Sequence, residues 1–304
     1  MCIAFWKLDS SSEYSLVLAF NRDEFFDRPT QGIHIWKTQP NICAPLDMQP
    51  QTEAHRGSWI GVNRQGRLAF LTTFLEDTPH HDGKISRGAL VRNYLQTKPT
   101  TPGGQQLLDE AKGNLAAEYA QRIYDEREMY DGFNLVVFDL ASTPKTAVYV
   151  TNRGTGPDGQ PGSVQILVGQ GQVMGLTNWS INEPWPKVIK GVARFEQVLE
   201  TTLQSTCTGT AQDTKLVNAL IDVMKTAEPY SNTRKPSHID DLTHCVFVPR
   251  LEGQVKEFGR KRFGTRSTTV LLLRGSHLTM AEVDYNNDQP QPATVIRLRI
   301  SSNN

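Results

Sequence analysis

The chain opens with two apolar runs, Cys2–Leu8 and Tyr14–Phe20, joined by the turn-rich link Asp9-Ser10-Ser11-Ser12-Glu13. A link of that length predicts an antiparallel hairpin. Ser15-Leu16-Val17-Leu18-Ala19-Phe20 is apolar at nearly every position, which predicts a strand buried on both faces. A second hairpin is expected from Trp59–Asn63 and Leu68–Phe74 around Arg64-Gln65-Gly66, followed by a polar loop over Leu75–Lys84. Helical spacing of apolar residues marks Ser86–Gln96, Gln105–Arg127, Pro186–Leu203 and Ala211–Ala227. Further strands are expected at Phe133–Leu140, Ala147–Asn152, Val164–Val168, Val173–Thr177, Cys245–Val248, Thr268–Arg274, Leu278–Val283 and Thr294–Ile300. Thr97–Gly104 and Arg153–Gly162 read as loops. The helices fall in two blocks between groups of hairpin-linked strands, not in βαβ alternation. That order predicts an α+β fold of antiparallel sheets covered by helices. No repeat or clean boundary divides residues 1–304, which read as a single domain with a frayed tail after Ile300.

Composition narrows the function classes. The 304 residues carry 32 basic and 32 acidic side chains, and zero net charge argues against nucleic acid or an anionic membrane as main partner. No apolar run is long enough to predict a transmembrane segment. The first apolar stretch lacks a basic n-region and is broken by Lys7 and Asp9, so it does not read as a signal peptide. The four cysteines, Cys2, Cys43, Cys207 and Cys245, are far apart and form no C-x-x-C. They read as free thiols of a soluble cytoplasmic protein, neither a disulfide framework nor a zinc site.

Cys2 carries the candidate chemistry. If the Met1–Cys2 bond is cleaved, the residue bears both a thiol and a free α-amine, a nucleophile with its own base attached. An α-amine with an ordinary pKa of about 7.7–8.0 can take the thiol proton and later return it to a leaving group. The hairpin register sets Cys2 against a position between Phe20 and Arg22, so the polar run Asn21-Arg22-Asp23-Glu24 arrives beside it. An arginine fork can hold a carboxylate, and that carboxylate can orient an amine or thiol. A plain solvated strand end with Arg22 paired to Glu24 is the competing reading.

Met1-Cys2-Ile3, Ala19-Phe20-Asn21-Arg22-Asp23-Glu24-Phe25-Phe26 and Arg28-Pro29 resemble the N-terminus of the transport and Golgi organisation protein 2 family, also called the NRDE family. The resemblance continues through Gly57–Asn63, Ser86-Arg87-Gly88, Gly132–Leu135, Gly175–Asn178, Pro184–Val188 and Phe263–Ser267. That family in turn resembles the N-terminal-nucleophile (Ntn) hydrolases of the penicillin V acylase and bile salt hydrolase group. The implied fold is a four-layer αββα sandwich of two antiparallel sheets.

By that resemblance Cys2 matches the nucleophile, and Arg22 and Asp23 match the Arg and Asp beside it. The hydrolases separate those two residues, whereas here they are adjacent, so in an unbroken strand only one faces the site; Asp23 is the expected contact of Cys2. Asn178, in Leu176-Thr177-Asn178, resembles the oxyanion-hole asparagine, and Thr72 stands where a second asparagine is expected. Arg266 resembles an arginine lining the pocket, with Asn21 and Glu24 as further binding candidates. No metal or cofactor is expected. The resemblance implies an amide or thioester acyl substrate, or a carrier role for acyl-coenzyme A or haem in lipid homeostasis and secretory-pathway organisation, with association to Golgi or mitochondria.

Other signals carry less. Gly154-Thr155-Gly156-Pro157-Asp158-Gly159 matches G-x-G-x-x-G literally, but turn residues follow where a dinucleotide site needs a helix. His238, His244 and Cys245 fit no metal spacing and read as a solvated loop entering a strand, and His80-His81 as exposed. Arg260-Lys261-Arg262 reads as a solvated loop, with a phosphate or carboxylate contact as the alternative.

Overall fold

The computed structural model describes residues 1–76, 83–97, 114–156, 159–167, 171–204, 208–231, 234–286 and 291–301. In chain order the strands and helices are β1 (Ile3–Leu8), β2 (Tyr14–Phe25), β3 (Thr30–Ile35), β4 (Ile42–Asp47), β5 (Ile60–Asn63), β6 (Arg67–Thr73), α1 (Gly88–Gln96), α2 (Leu115–Asp125), β7 (Phe133–Asp139), β8 (Thr146–Thr155), β9 (Pro161–Ile166), β10 (Val173–Leu176), α3 (Pro186–Leu203), α4 (Gly209–Met224), β11 (Leu251–Glu252), β12 (Arg262–Arg274), β13 (His277–Asp284) and β14 (Thr294–Arg299). The fold class is α+β: two seven-stranded sheets, antiparallel at every registered pairing, with four helices among the described residues.

Contacts divide the chain into two compact units, Met1–Ile33 with Gly169–Arg299, and His34–Val168 with Ile300–Asn304. In the first unit the sheet runs β10-β1-β2-β12-β13-β14, with β11 pairing β12. Ile3, Phe5, Val17, Ala19, Val270 and Leu272 pack under α3 and α4 through Val188, Phe195, Leu199, Leu216 and Leu220. Leu16, Leu18 and Phe20, of opposite parity, are buried as well, as the continuous apolar run predicts. Pro186 opens α3, where a missing N–H costs nothing. The helix lies so close to the sheet that a Cβ on Gly191 would clash with the Phe5 ring.

In the second unit α1 and α2 cover the sheet β3-β4-β5-β6-β7-β8-β9, with Leu90, Tyr94, Tyr119 and Ile123 packed on Ala69, Leu71, Leu135, Val137, Val148 and Val150. The β5–β6 hairpin turns at Gly66, whose φ of +81° favours glycine.

Four expectations change. First, β2 continues through Asn21-Arg22-Asp23-Glu24 to Phe25, because the long strand β12 pairs with it as far as Phe263↔Phe25. Second, Cys245–Val248 is not a strand. Its backbone is satisfied singly: Phe247 N donates to Thr226 O, Val246 O accepts from Asn21, and Val248 N bonds Thr265 Oγ1. Third, β8 extends to Thr155, into the expected loop, and β9 begins at Pro161, so the glycine motif leads into a strand. Fourth, β3 and β4 lie where no strand was expected: β3 is short and interrupted by Gln31, Gly32 and His34, and the short apolar run of β4 contains Pro45, which argues against a strand. The 105–113 part of the expected second helix, His80, His81, Cys207, and residues 98–104 lie outside the described residues.

Candidate active site around Cys2

Ile3 pairs with Asn21, so the hairpin register brings Cys2 to Arg22. Cys2 is half-buried, and its Sγ lies 4.0 Å from the backbone carbonyl oxygen of Asp23. The N-terminal ammonium donates to the same oxygen at 3.4 Å. Thiol and amine therefore converge on Asp23, but on its main chain. Its carboxylate is buried elsewhere: Oδ1 accepts from Thr265 Oγ1 at 2.6 Å, and Oδ2 has no hydrogen-bond partner among the described residues.

The unbroken strand explains this. Side chains alternate along β2, so Asn21 and Asp23 share the helix-covered face with Val17 and Ala19, while Arg22 points to the other face. Arg22 reaches Glu24 Oε2 at 3.5 Å, the strand-end pairing considered as the competing reading. A β-bulge reinforces the local twist: Asp23 pairs with Thr265 and Arg22 with Ser267, leaving Arg266 as the extra residue.

Four of the other candidates are held by the fold itself. Asn21 Nδ2 donates to Met224 O at 2.8 Å and Val246 O at 3.1 Å, and its Oδ1 accepts from Thr268 Oγ1 at 2.6 Å. Both amide donors are committed, so Asn21 clamps the end of α4 and offers neither to a ligand. Arg266 spends its guanidinium on Asn286 Oδ1, Phe25 O, Arg28 O and Thr30 Oγ1, tying down the segment after β2. Glu24 also faces Arg28 at 3.8 Å and accepts from Phe25 N at 2.9 Å. Thr72 belongs to the second unit, where it is buried and its Oγ1 accepts from Asn134 Nδ2 at 3.2 Å.

Asn178 follows β10 and is buried. Thr177 Oγ1 donates to the Cys2 carbonyl at 2.8 Å and lies 3.4 Å from Asn178 Oδ1, so one hydroxyl ties the candidate oxyanion residue to the backbone of Cys2. Thr177 and Thr265 were not expected to take part.

Lys187 was also missed. It is the second residue of α3, fully buried, and its Nζ has no hydrogen-bond partner among the described residues. Burial pushes its pKa down, while Asp23, then Cys245 and Cys2, pull it up. A cation in the first turn of a helix opposes the helix dipole, and that is the signal by which Pro186-Lys187 could have been singled out. Cys245 is fully buried, not in a solvated loop, and burial pushes its thiol up to about 11, against the pull of Lys187; His238 and His244 are exposed. The Cys2 thiol is likewise raised by burial, partly offset by the N-terminal ammonium, with Asp23 adding to the rise. Burial also raises Asp23, opposed by the N-terminal ammonium and then Lys187. The run Arg260-Lys261-Arg262 is exposed, with Lys261 Nζ 5.3 Å from the centre of the Phe25 ring. Among the described residues no cluster of His, Cys, Asp or Glu is placed to hold a metal ion, and no helix is long and apolar enough to cross a membrane.

Residues 1–287 match the family described as Transport and Golgi organisation 2. The chain belongs to that family. It is 29% identical over 289 residues to the Transport and Golgi organization 2 homolog of Mus musculus, covering 93% of this chain and 92% of that protein. The Transport and Golgi organization protein 2 homolog of Homo sapiens is 29% identical over 290 residues, with the same coverage, 93% and 92%. Among solved structures, the Caenorhabditis elegans N-acylethanolamine-hydrolyzing acid amidase ortholog superposes with a TM-score of 0.42 at 10% identity, covering 89% of this chain and 92% of that one. A mutant of the conjugated bile acid hydrolase of Clostridium perfringens gives 0.42 at 8% identity, covering 97% and 92%.

Proposed function

We propose that this Transport and Golgi organisation 2 family member uses Cys2, freed by cleavage of the Met1–Cys2 bond, as a nucleophile toward an amide or thioester acyl group. The observation that carries this reading is the convergence of the Cys2 thiol and the chain's amine on one carbonyl, that of Asp23. Cleavage moves the α-amine one residue inward, onto Cys2 itself. The amine then accepts the thiol proton as sulfur bonds to the substrate carbonyl carbon. Asn178 would donate its amide to the oxyanion of the tetrahedral intermediate, a contribution of about 2.7–4 kcal/mol for such a donor. Collapse expels an amine or thiol, which takes the proton back from the α-amine, and leaves an acyl-cysteine. Water, deprotonated by the same amine, attacks that thioester and releases the carboxylic acid with the thiol restored. The Met1 side chain packs on the apolar cluster of Leu242, Cys245, Val248, Leu251, Val255 and Phe263, and an apolar acyl chain would take up that surface once Met1 leaves.

One observation favours a second reading for the uncleaved chain. Burial raises the Cys2 thiol and so disfavours its thiolate, and a thiol that is a poor nucleophile suits a non-covalent carrier of acyl-coenzyme A better than a catalyst.

The test is the N-terminus itself. Intact mass of the active protein is expected to lack one methionine. Quantitative retention of Met1 in a preparation that turns over an acyl thioester would sink the built-in base.

A further inference from the structure

The side chain of Met1 is an apolar group already seated beside Cys2. It packs against Leu242, Cys245, Val248, Leu251, Val255 and Phe263, none of them more than 5% exposed. Half-buried Phe25, Tyr230, Ile239 and Phe258 pack against the same floor. That floor reaches Cys2 along β2. Phe25 stands on the same face of the strand as Asp23, whose carbonyl oxygen lies 4.0 Å from Cys2 Sγ. Phe263 pairs with Phe25, and its ring centre lies 5.3 Å from that of Phe25 and 4.1 Å from that of Phe258. The rings form one aromatic wall that starts at the end of β2.

We propose that the surface under Met1 is the acyl-chain subsite of the cleaved protein, and that it selects an unbranched acyl group of hexanoyl length. Covalent geometry makes Met1 an image of an acyl-cysteine. Its carbonyl carbon is bonded to the Cys2 nitrogen and is separated from Sγ only by N, Cα and Cβ of Cys2. In an acyl-cysteine the substrate's carbonyl carbon is bonded to Sγ itself. From the Met1 carbonyl carbon the path through Cα, Cβ, Cγ, Sδ and Cε is unbranched and as long as a hexanoyl chain. The ammonium alone departs from that image: it donates to Asp23 O at 3.4 Å, a contact that a plain acyl chain lacks. Each CH2 laid on the apolar floor leaves water, worth about fourfold in affinity. An acetyl group stops short of the floor, and a chain longer than hexanoyl runs past the length that Met1 covers. This rests on the proposed role of Cys2, but it specifies the acyl part of the substrate instead of which atom attacks.

The test uses the full Cys2→Ala chain, which cannot turn the probes over, with Met1 retained and with Met1 removed by methionine aminopeptidase. The probes are the acetyl, butanoyl, hexanoyl and decanoyl thioesters of N-acetylcysteamine, their binding followed by NMR of the leucine and valine methyl groups. Without Met1, affinity is expected to rise about fourfold per CH2 from acetyl to hexanoyl and then to level off. The methyl groups of Leu242, Val248, Leu251 and Val255 are expected to shift. With Met1 retained, hexanoyl affinity is expected to fall about tenfold or more, because a tethered competitor holds the surface. Equal affinity across the series, equal binding with and without Met1, or shifts that spare those four residues overturns the subsite. A rise that continues to decanoyl overturns its length limit. Should Cys2→Ala fail to fold, kcat/KM of the cleaved parent chain on the same series is expected to peak at hexanoyl. Equal kcat/KM on all four thioesters overturns the subsite and leaves the nucleophile standing. A parent that binds with the expected profile but forms no acyl-cysteine overturns the nucleophile reading and leaves the subsite standing.

Discussion

Cys2→Ala is expected to lower turnover of a hexanoyl thioester of N-acetylcysteamine by four orders of magnitude or so, while affinity for the thioester stays within a few-fold. The substitution removes one sulfur atom at a half-buried position just before β1, so Ile3 and the strand pairing that follows are undisturbed. What disappears is the atom that forms the acyl intermediate, and among the described residues neither remaining thiol is placed to replace it. Cys245 is fully buried with its thiol raised to about 11, and Cys43 is buried in the second unit. Losing the nucleophile of a covalent mechanism removes stabilisation made only in the transition state, so kcat falls and binding does not. Cys43→Ala serves as the control and is expected to leave turnover unchanged. Parallel loss of affinity and rate in Cys2→Ala would instead describe a side chain that only lines a pocket.

Glu282→Gln is expected to remove a large pH dependence of stability. Glu282 on β13 is buried, accepting from Ile33 N at 2.9 Å and from Thr269 Oγ1 at 3.4 Å. Burial pushes its pKa up to about 7 despite those hydrogen bonds, from an ordinary 4.5, with Asp284 adding to the rise. A raised carboxyl pKa means that the folded chain holds the proton longer than the unfolded chain. The stabilisation is therefore complete below pH 4.5 and is lost as pH rises through 7. Between pH 5 and pH 8 the parent should lose about 2.5 kcal/mol that the glutamine variant, which mimics the protonated form, does not. Urea unfolding midpoints at the two pH values measure it. Parallel curves for parent and variant would mean that Glu282 titrates alike in both states.

The first hairpin was legible in the chain because its signals are local. An unbroken apolar run needs two covered faces, and a five-residue polar link leaves little choice of register, so the arrival of residues 21–23 beside Cys2 followed from counting. The end of β2 was not legible. Asn21 to Glu24 look like a strand that has stopped, yet they are kept in the sheet by β12, about 240 residues away, and by Thr265 and Thr268 on it. Polar residues inside a strand are tolerated when distant partners satisfy them, and single-sequence patterns do not contain those partners. The same limit hid Lys187: a lysine two residues into an amphipathic helix reads as solvent-facing until the fold buries it. Asn21 and Arg266 show the same limit from the other side. Their residue types suit ligand contact, but the backbone carbonyls and side chains that occupy them come from elements remote in sequence.

The most direct measurement is the site of acylation. The protein is incubated with the hexanoyl thioester, quenched in acid, digested and mapped by tandem mass spectrometry. The account predicts a hexanoyl group on Sγ of Cys2, in peptides that begin at Cys2, formed and lost at rates that match turnover. Turnover accompanied by acyl groups only on Cys43, Cys207, Cys245 or a lysine, or on Cys2 only in peptides that still begin with Met1, would contradict it.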